Sequence, residues 1–447
     1  MLLATSGSQR RRSAILGRFL VDTVWRWNDA GLPRDGAIDP RPIPRPGLRT
    51  APGHAAVTID LVSDRAGFDA LEPEWNDLFA RAGRDTQVFQ TFNWNWHWAN
   101  HYLPAGGSGR TLAIVTVRRD GRLVMLWPLV MERTAGLKVL QWMGEPVSQY
   151  GDVLAEDAAD TTDLLHRAWA FITRTLRADA ISLRKVRADA VVAPLLAAFG
   201  MRQTAFAEAP CLDLASAPDF SAYETRYSGK ARKNRRRLMR RLTERGAVTI
   251  ERHDGGPQAR AAALEAVALK AKWLTDTGRL SQALADERFA AFFADAAEGR
   301  GRPAGCRLLV LKSAGETAGI AIDVSCGAHR AAHIIVHDPA LDGFSPGTLL
   351  LQEWIRRASA DGIATFDLLA PAYAYKLDWA DASVPVGDHA LGLTLAGRAY
   401  THVYLGLVRE RLKAAAEALP HLIERMRGFI RRSTRSTSRP TPSSNAP

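Results

Sequence analysis

The chain runs to 447 residues, 47% of them apolar and 24% charged, with a formal net charge of +12. That length exceeds one ordinary hydrophobic core, so two domains are expected, and no apolar run approaches the roughly 18 residues of a membrane span. The positive charge is concentrated in residues 1–56 (nine arginines, four aspartates), residues 226–245 (ten basic residues against Glu244) and residues 425–447 (six arginines, no acid). The remainder is mildly acidic, which excludes a protein that coats nucleic acid over its whole surface.

Residues 1–56 are rich in Arg, Pro and Gly and read as disordered apart from a short helix at Ile15–Trp27. Order is predicted to begin with a strand at Val57–Leu61. A helix over Phe68–Ala82 follows, with Phe68, Leu71, Trp75, Leu78 and Phe79 on one face. In Thr91–Tyr102 the alternation of Trp94, Trp96 and Trp98 is strand-like, but Asn93, Asn95 and His97 between them favour a helix or buried turn. Core packing between domains is the better account of these rings than a carbohydrate-stacking platform. Thr111–Arg118 and Leu123–Glu132 alternate about Asp120-Gly121, a hairpin signal. Strands at Leu137–Trp142 and Asp152–Ala155, a helix at Thr162–Leu176, a strand at Ala180–Lys185, a helix at Ala190–Phe199 and a strand near Cys211–Leu214 complete the first half.

The second half repeats the order. A helix at Tyr223–Arg245 precedes a strand at Val248–Arg252, and helices at Pro257–Asp276 and Ala285–Ala297 follow. Cys306–Lys312, Thr317–Ser325 and Arg330–His337 form a meander, then come a helix over Pro346–Ala360 and a strand at Thr365–Leu369. Thr394–Arg432 reads as a basic amphipathic helical extension, and the last fifteen residues as a Ser/Thr/Pro tail. Cys211, Cys306 and Cys326 are widely spaced and odd in number. They suit buried thiols, with neither a disulfide framework nor a metal site.

The most informative stretch is His333–Trp379. Pro346 in the first helical turn has no N–H to lose, Ser345 can cap the free donors, and Gly347 lets a ligand approach the backbone. The amides of Gly347, Thr348 and Leu349 with the helix dipole then make an anion site, suited to the diphosphate of an acyl-CoA. Lys376 lies just beyond a strand end among Tyr373, Tyr375 and Trp379. Read from the residues alone, its stem would cover Trp379 while its head stays wet. Tyr375 could protonate a leaving thiolate. Acyl transfer to an amine calls for a base, and the candidates are Asp323, His333, His337, Asp338 and Asp367. The run from Lys230 to Leu242 places Ala231, Leu238, Met239 and Leu242 on one helical side and leaves a basic opposite face. With only Tyr227 nearby, base stacking is poorly supported.

Taken together, Ser345-Pro346-Gly347, Phe366-Asp367-Leu368-Leu369, Tyr375-Lys376 and Trp379 resemble the acyltransferase domain of the FemAB/CelD-like branch of the GNAT superfamily, over about Val57 to Leu391. Where members of that branch often carry Arg-Gly and an acidic residue, this chain has Ala370-Pro371-Ala372. The resemblance implies an α/β fold (α+β mixed) of two tandem GNAT-like domains, each a mixed, mostly antiparallel sheet flanked by helices. They would occupy residues 57–215 and 216–393, ahead of the helical extension at 394–432 and the tail at 433–447.

It further implies acetyl-CoA or another acyl-CoA as co-substrate, held by Ser345, Gly347, Thr348 and Leu349, without a metal. Lys376, Tyr375, Asp367 and His337 are the catalytic candidates, and Lys230, Arg232, Lys233 and Arg236 would border the acceptor groove. The acceptor would be an amine or hydroxyl of an envelope or exopolysaccharide precursor, sugar- or lipid-linked. Two alternatives remain: Fem-type transfer from aminoacyl-tRNA, and a catalytically silent scaffold of polysaccharide synthesis. The expected location is cytoplasmic, with the basic C-terminal helix a contact for the inner face of the membrane.

Overall fold

The structure, a computed structural model, describes residues 56–103, 109–277, 281–408 and 411. The expectations for the Arg/Pro-rich start, the tail and most of the helical extension fall outside them. The first half contains β1 (Val57–Val62), α1 (Arg65–Ala70), α2 (Glu72–Ala82), α3 (Phe92–Tyr102), β2 (Arg110–Leu112), β3 (Ile114–Arg119), β4 (Arg122–Trp127), β5 (Leu129–Thr134), β6 (Leu137–Trp142), β7 (Leu154–Ala155), α4 (Thr161–Thr175), β8 (Ala180–Arg187) and β9 (Arg202–Asp213). The second contains α5 (Phe220–Glu224), α6 (Gly229–Arg245), β10 (Val248–His253), α7 (Gly256–Asp276), α8 (Glu287–Glu298), β11 (Arg307–Ser313), β12 (Glu316–Cys326), β13 (His329–His337), α9 (Pro346–Ala360), β14 (Thr365–Asp367), α10 (Ala374–Leu377) and β15 (Ala382–Gly392).

This is the mixed α/β architecture that the sequence implied, with sheets mostly antiparallel and flanked by helices. A small sheet is ordered β1-β3-β4-β7, and a large one β10-β11-β12-β13-β14-β9-β15-β8-β6-β5-β2. Each half contributes one parallel pair joined by a helical crossover: β6 and β8 through α4, and β13 and β14 through α9. The halves then exchange their last strands. β9 of the first half lies antiparallel to β14, β15 of the second lies antiparallel to β8, and β9 and β15 pair with each other. Long-range backbone hydrogen bonds thus tie the two crossovers into one sheet.

Apolar burial supports the same union. One core belongs to the first half around Trp127, Trp142 and Trp169, and another to the second around Trp354 and Phe366. A third mixes both, joining Phe68, Trp94 and Trp98 to Phe292, Phe293 and Ile320. Trp94 is the pivot of this shared core. Its indole donates to Ser148 Oγ at 2.9 Å, and its ring meets Phe292 edge-on at 4.8 Å. These tryptophans are core residues on a helix, which removes the carbohydrate-platform reading.

Several boundaries differ from expectation for identifiable reasons. Pro128 divides the expected strand Leu123–Glu132 into β4 and β5, which enter different sheets. Pro194 limits the expected helix Ala190–Phe199 to a single 3-10 turn, Ala193–Leu195. Pro73 starts a new helix within Phe68–Ala82, and the Ser228 hydroxyl caps α6, accepting from Ala231 N–H at 3.1 Å, so Tyr223–Arg245 is two helices. Replacing Trp94→Ala removes a fully buried ring shared by both halves. Its expected cost is about 3–5 kcal/mol of unfolding free energy, measurable by urea titration.

Candidate active site

The site begins where two parallel strands part. β13 and β14 pair only through His329–Thr365, Arg330–Phe366 and Ala331–Asp367. β13 continues to His337, whereas β14 ends and Leu368 N–H turns to Pro210 O at 2.8 Å. From Ala332 onward this edge of β13 has no strand partner among the described residues.

β13 leads through a 3-10 turn at Pro339–Phe344 into α9. Here the expected cradle of three amides is corrected. Ser345 adopts a left-handed conformation (φ 52°, ψ 52°) and makes no side-chain cap, because an N-cap hydroxyl reaches back only from extended backbone. Its carbonyl instead accepts Thr348 N–H at 3.0 Å and Leu349 N–H at 3.4 Å, and its own N–H goes to Asp342 O at 3.0 Å. Pro346 has no N–H, so Gly347 alone in this turn keeps an amide without a partner among the described residues. A Cβ at 347 would lie 3.1 Å from His337 Nδ1. The His337 ring therefore stands beside Gly347, its Nε2 2.7 Å from Asp342 Oδ1.

Asp367 is corrected more sharply. It is 0% exposed and already surrounded by donors, so it cannot act as a base on substrate. Tyr150 Oη donates at 2.9 Å, Arg187 Nη1 at 2.7 Å and Leu369 N–H at 2.7 Å, while His329 Nε2 lies 3.5 Å away. Burial pushes the carboxyl pKa up. The His329 ring, the Arg187 charge and the Leu369 amide outweigh it and hold the group below the usual carboxylate range. Asp367 is thus a fixed anion whose partners come from both halves.

Lys376 stands next to it in space. The side chain is 8% exposed, with Nζ donating to Leu369 O at 2.8 Å and 5.3 Å from the Tyr373 ring centroid. Burial is the main cause that brings its pKa down to about 7; Asp367 opposes that shift and Lys270 of α7 adds to it. An amine of this kind exists in both protonation states near neutrality, which an ordinary lysine does not. Tyr375 is 45% exposed, stacked 6.2 Å from Tyr373.

The other proposed bases are occupied. Asp323 accepts from Trp354 Nε1 at 2.9 Å, and Asp338 accepts from Ala340 N–H at 3.0 Å as a turn former. His333 Nε2 contacts Val147 O at 2.6 Å, and burial lowers its pKa to about 4, so it is neutral.

On α6, Lys230, Lys233 and Arg236 are exposed and Arg232 is half-buried. Arg235 departs from the expected all-basic outer face. It is 6% exposed, its guanidinium 4.6 Å from the Trp379 ring and 4.8 Å from Tyr227. The spacing Ala231, Arg235, Leu238, Leu242 would have revealed this, since it continues the apolar stripe. Farther along, Arg241 lies 5.3 Å from Phe344 in the turn before α9. The basic helix therefore borders both the Lys376 segment and the anion turn. Tyr150, Arg187 and Lys270 were not foreseen, and no local motif marks them.

Residues 229–377, within the second half, match the family model of the acetyltransferase (GNAT) domain. Among solved structures, FemX is similar at a TM-score of 0.52 and 11% identity, over 74% of this chain and 98% of that one. The C-terminal domain of a putative lysylphosphatidylglycerol synthetase from Agrobacterium fabrum gives 0.47 at 13% identity, over 75% and 94%. A tandem GNAT protein from the clavulanic acid biosynthesis pathway gives 0.43 at 15% identity, over 75% and 99%. The likeness to FemX is one of fold. No curated protein matches the sequence.

Arg235 and its neighbour Arg236 separate a packed cation from a solvated one. Arg235→Ala should cost about 2–3 kcal/mol of stability by deleting a desolvated cation–π contact and its packing. Arg236→Ala should stay within about 0.5 kcal/mol. Thermal unfolding of the two variants checks both.

Proposed function

We propose that this protein is an acyltransferase that moves an acyl group, acetyl in the simplest case, from acyl-CoA to an amine or hydroxyl acceptor. The observation that carries this reading is the parting of β13 and β14, with the buried Lys376 bonded to the carbonyl of Leu369 at the point of divergence. The open edge of β13 would pair with the amides of the pantetheine arm and direct the thioester toward Lys376. Gly347 N–H and the adjoining basic end of α6 would receive the phosphates.

The acceptor nitrogen or oxygen attacks the thioester carbonyl, the new bond forms, and the C–S bond breaks to release thiolate. Lys376 in its neutral form accepts the acceptor proton, a task for which a pKa about 7 is suited. Tyr375, exposed at the same place, is the group available to protonate the thiolate. Lys230, Arg232, Lys233 and Arg236 would hold an anionic acceptor, for which the family resemblance suggests a lipid- or nucleotide-linked envelope or exopolysaccharide precursor.

A second reading is favoured by one feature. The exposed cations of α6 suit the backbone of an aminoacyl-tRNA as donor. Acyl-CoA binding at moderate salt supports the first reading. Binding of charged tRNA with a steep salt dependence and no response to acyl-CoA supports the second.

Three outcomes are expected. Lys376→Met should lower kcat about 10²–10⁴-fold without unfolding the protein. In the wild type, kcat should rise with pH through about 7 and level off above it, because the active amine is the deprotonated form. Gly347→Val should crowd His337 and block the one free amide, weakening CoA about tenfold, or about 1.4 kcal/mol, by titration calorimetry.

A further inference from the structure

A continuous set of hydrogen bonds runs from the first half of the chain to the Lys376 amine. Tyr150 and Arg187, which ends β8, both donate to the Asp367 carboxylate. The Arg187 guanidinium also lies 4.9 Å from the Tyr150 ring centroid, so the two donors brace each other. Asp367 Oδ1 accepts Leu369 N–H at 2.7 Å, and Leu369 O accepts Lys376 Nζ at 2.8 Å. The Leu369 residue between them holds φ 61°, a region that a leucine enters only when its surroundings impose it. The bond to Asp367 supplies that imposition. One residue thus turns its N–H toward the anion and its C=O toward the lysine.

We infer that Tyr150 and Arg187 are positioning residues for Lys376, acting across the junction of the two halves through Asp367 and the Leu369 peptide. This rests on the proposed role of Lys376 for its functional meaning, though the relay is a structural statement about the lysine itself. It gives the first half a part in the site that contact with substrate does not require. Buried Tyr150 stays a donor, because burial and then the Asp367 charge push its phenol pKa well above the ordinary value. The charged and titratable groups facing Lys376 are Asp367 from β14, Lys270 from α7 and the neighbouring Tyr373. Behind Asp367 stand Arg187, Tyr150 and His329.

The relay sets the protonation of Lys376 in two separable ways. The Asp367 charge and the Leu369 carbonyl that the relay holds toward Nζ both favour the ammonium, against the burial of the amine. Asp367→Asn keeps an oxygen acceptor for Leu369 N–H but removes the charge, so the Lys376 midpoint should fall by about one pH unit. Tyr150→Phe leaves Arg187 to keep Asp367 ionised, but strips a donor from the anion, so more of its charge acts on the amine. Its midpoint should rise by about half a unit or more.

The chain contains nine lysines, so a pH titration of protein labelled with ¹³C at lysine Cε resolves them, Lys376 being assigned by its loss in Lys376→Met. Opposite shifts in the two variants support the relay. No shift of the Lys376 signal in folded Tyr150→Phe overturns it, as does an upward shift in Asp367→Asn. If Asp367→Asn does not fold, Tyr150→Phe alone decides. The titration needs neither donor nor acceptor, so it is independent of the acyl-transfer assay. A relay that holds while Lys376→Met retains full activity would refute the proposed chemistry and leave the relay standing.

Discussion

A single buried carboxylate organises the centre of this molecule. Placing Asp367 in the interior is costly unless its charge is matched by well-aimed donors. Those donors are drawn from both halves: Tyr150 and Arg187 from the first, Leu369 N–H from the second, with His329 beside them. The strand exchange makes this possible. β14 receives β9 as its neighbour, β9 pairs with β15, and β15 runs along β8, so one sheet carries both Asp367 and Arg187, whose side chain reaches the carboxylate. Pulling the halves apart would strip Asp367 of its Tyr150 and Arg187 donors, leaving it Leu369 N–H and His329, and would expose apolar surface on both sides of the shared core. The fold therefore behaves as one unit although its strand order repeats.

The regular elements were legible in the sequence because their periodicities are local. α9 occupies the expected Pro346–Ala360, and the turn at Asp120-Gly121 joins β3 to β4, with φ 50° and 80° at its two central residues. The failures have local causes too. β15 was not anticipated, since Pro385 and Gly387 interrupt it and both residues usually argue against a strand. Its pairing with β8 and β9 compensates for both. The strand exchange itself could not be read, because nothing in a strand's own residues names its neighbour.

At the candidate site the sequence marks the start of α9 but not the conformation that leads into it. The Ser-Pro-Gly turn does open a helix, but Ser345 enters it from a left-handed conformation, which consumes two amides that the motif promised. Asp367 drew attention as the odd residue in an apolar strand. That oddity marks a buried ion pair as readily as a catalytic carboxylate, and only the surroundings distinguish them. Lys376 stands out in the sequence by its aromatic setting, whereas Tyr150 and Arg187 lie some 180 residues or more from Asp367 in the chain and carry no signature.

The state of Lys376 follows from where the fold places it. An amine taken out of water beside a second lysine loses more than Asp367 returns, so its folded pKa lies below its unfolded one. Between pH about 7 and the ordinary lysine range the unfolded chain then binds more protons than the folded one. Stability in that interval rises with pH, and below it the full cost of burying an ammonium is borne. A methionine of similar length would escape that cost. The same burial confers the protonation balance that a proton acceptor needs, and stability and chemistry pull this position in opposite directions. A lysine bonded to a carbonyl that a left-handed residue holds out to it suits the proton-accepting role proposed for its amine.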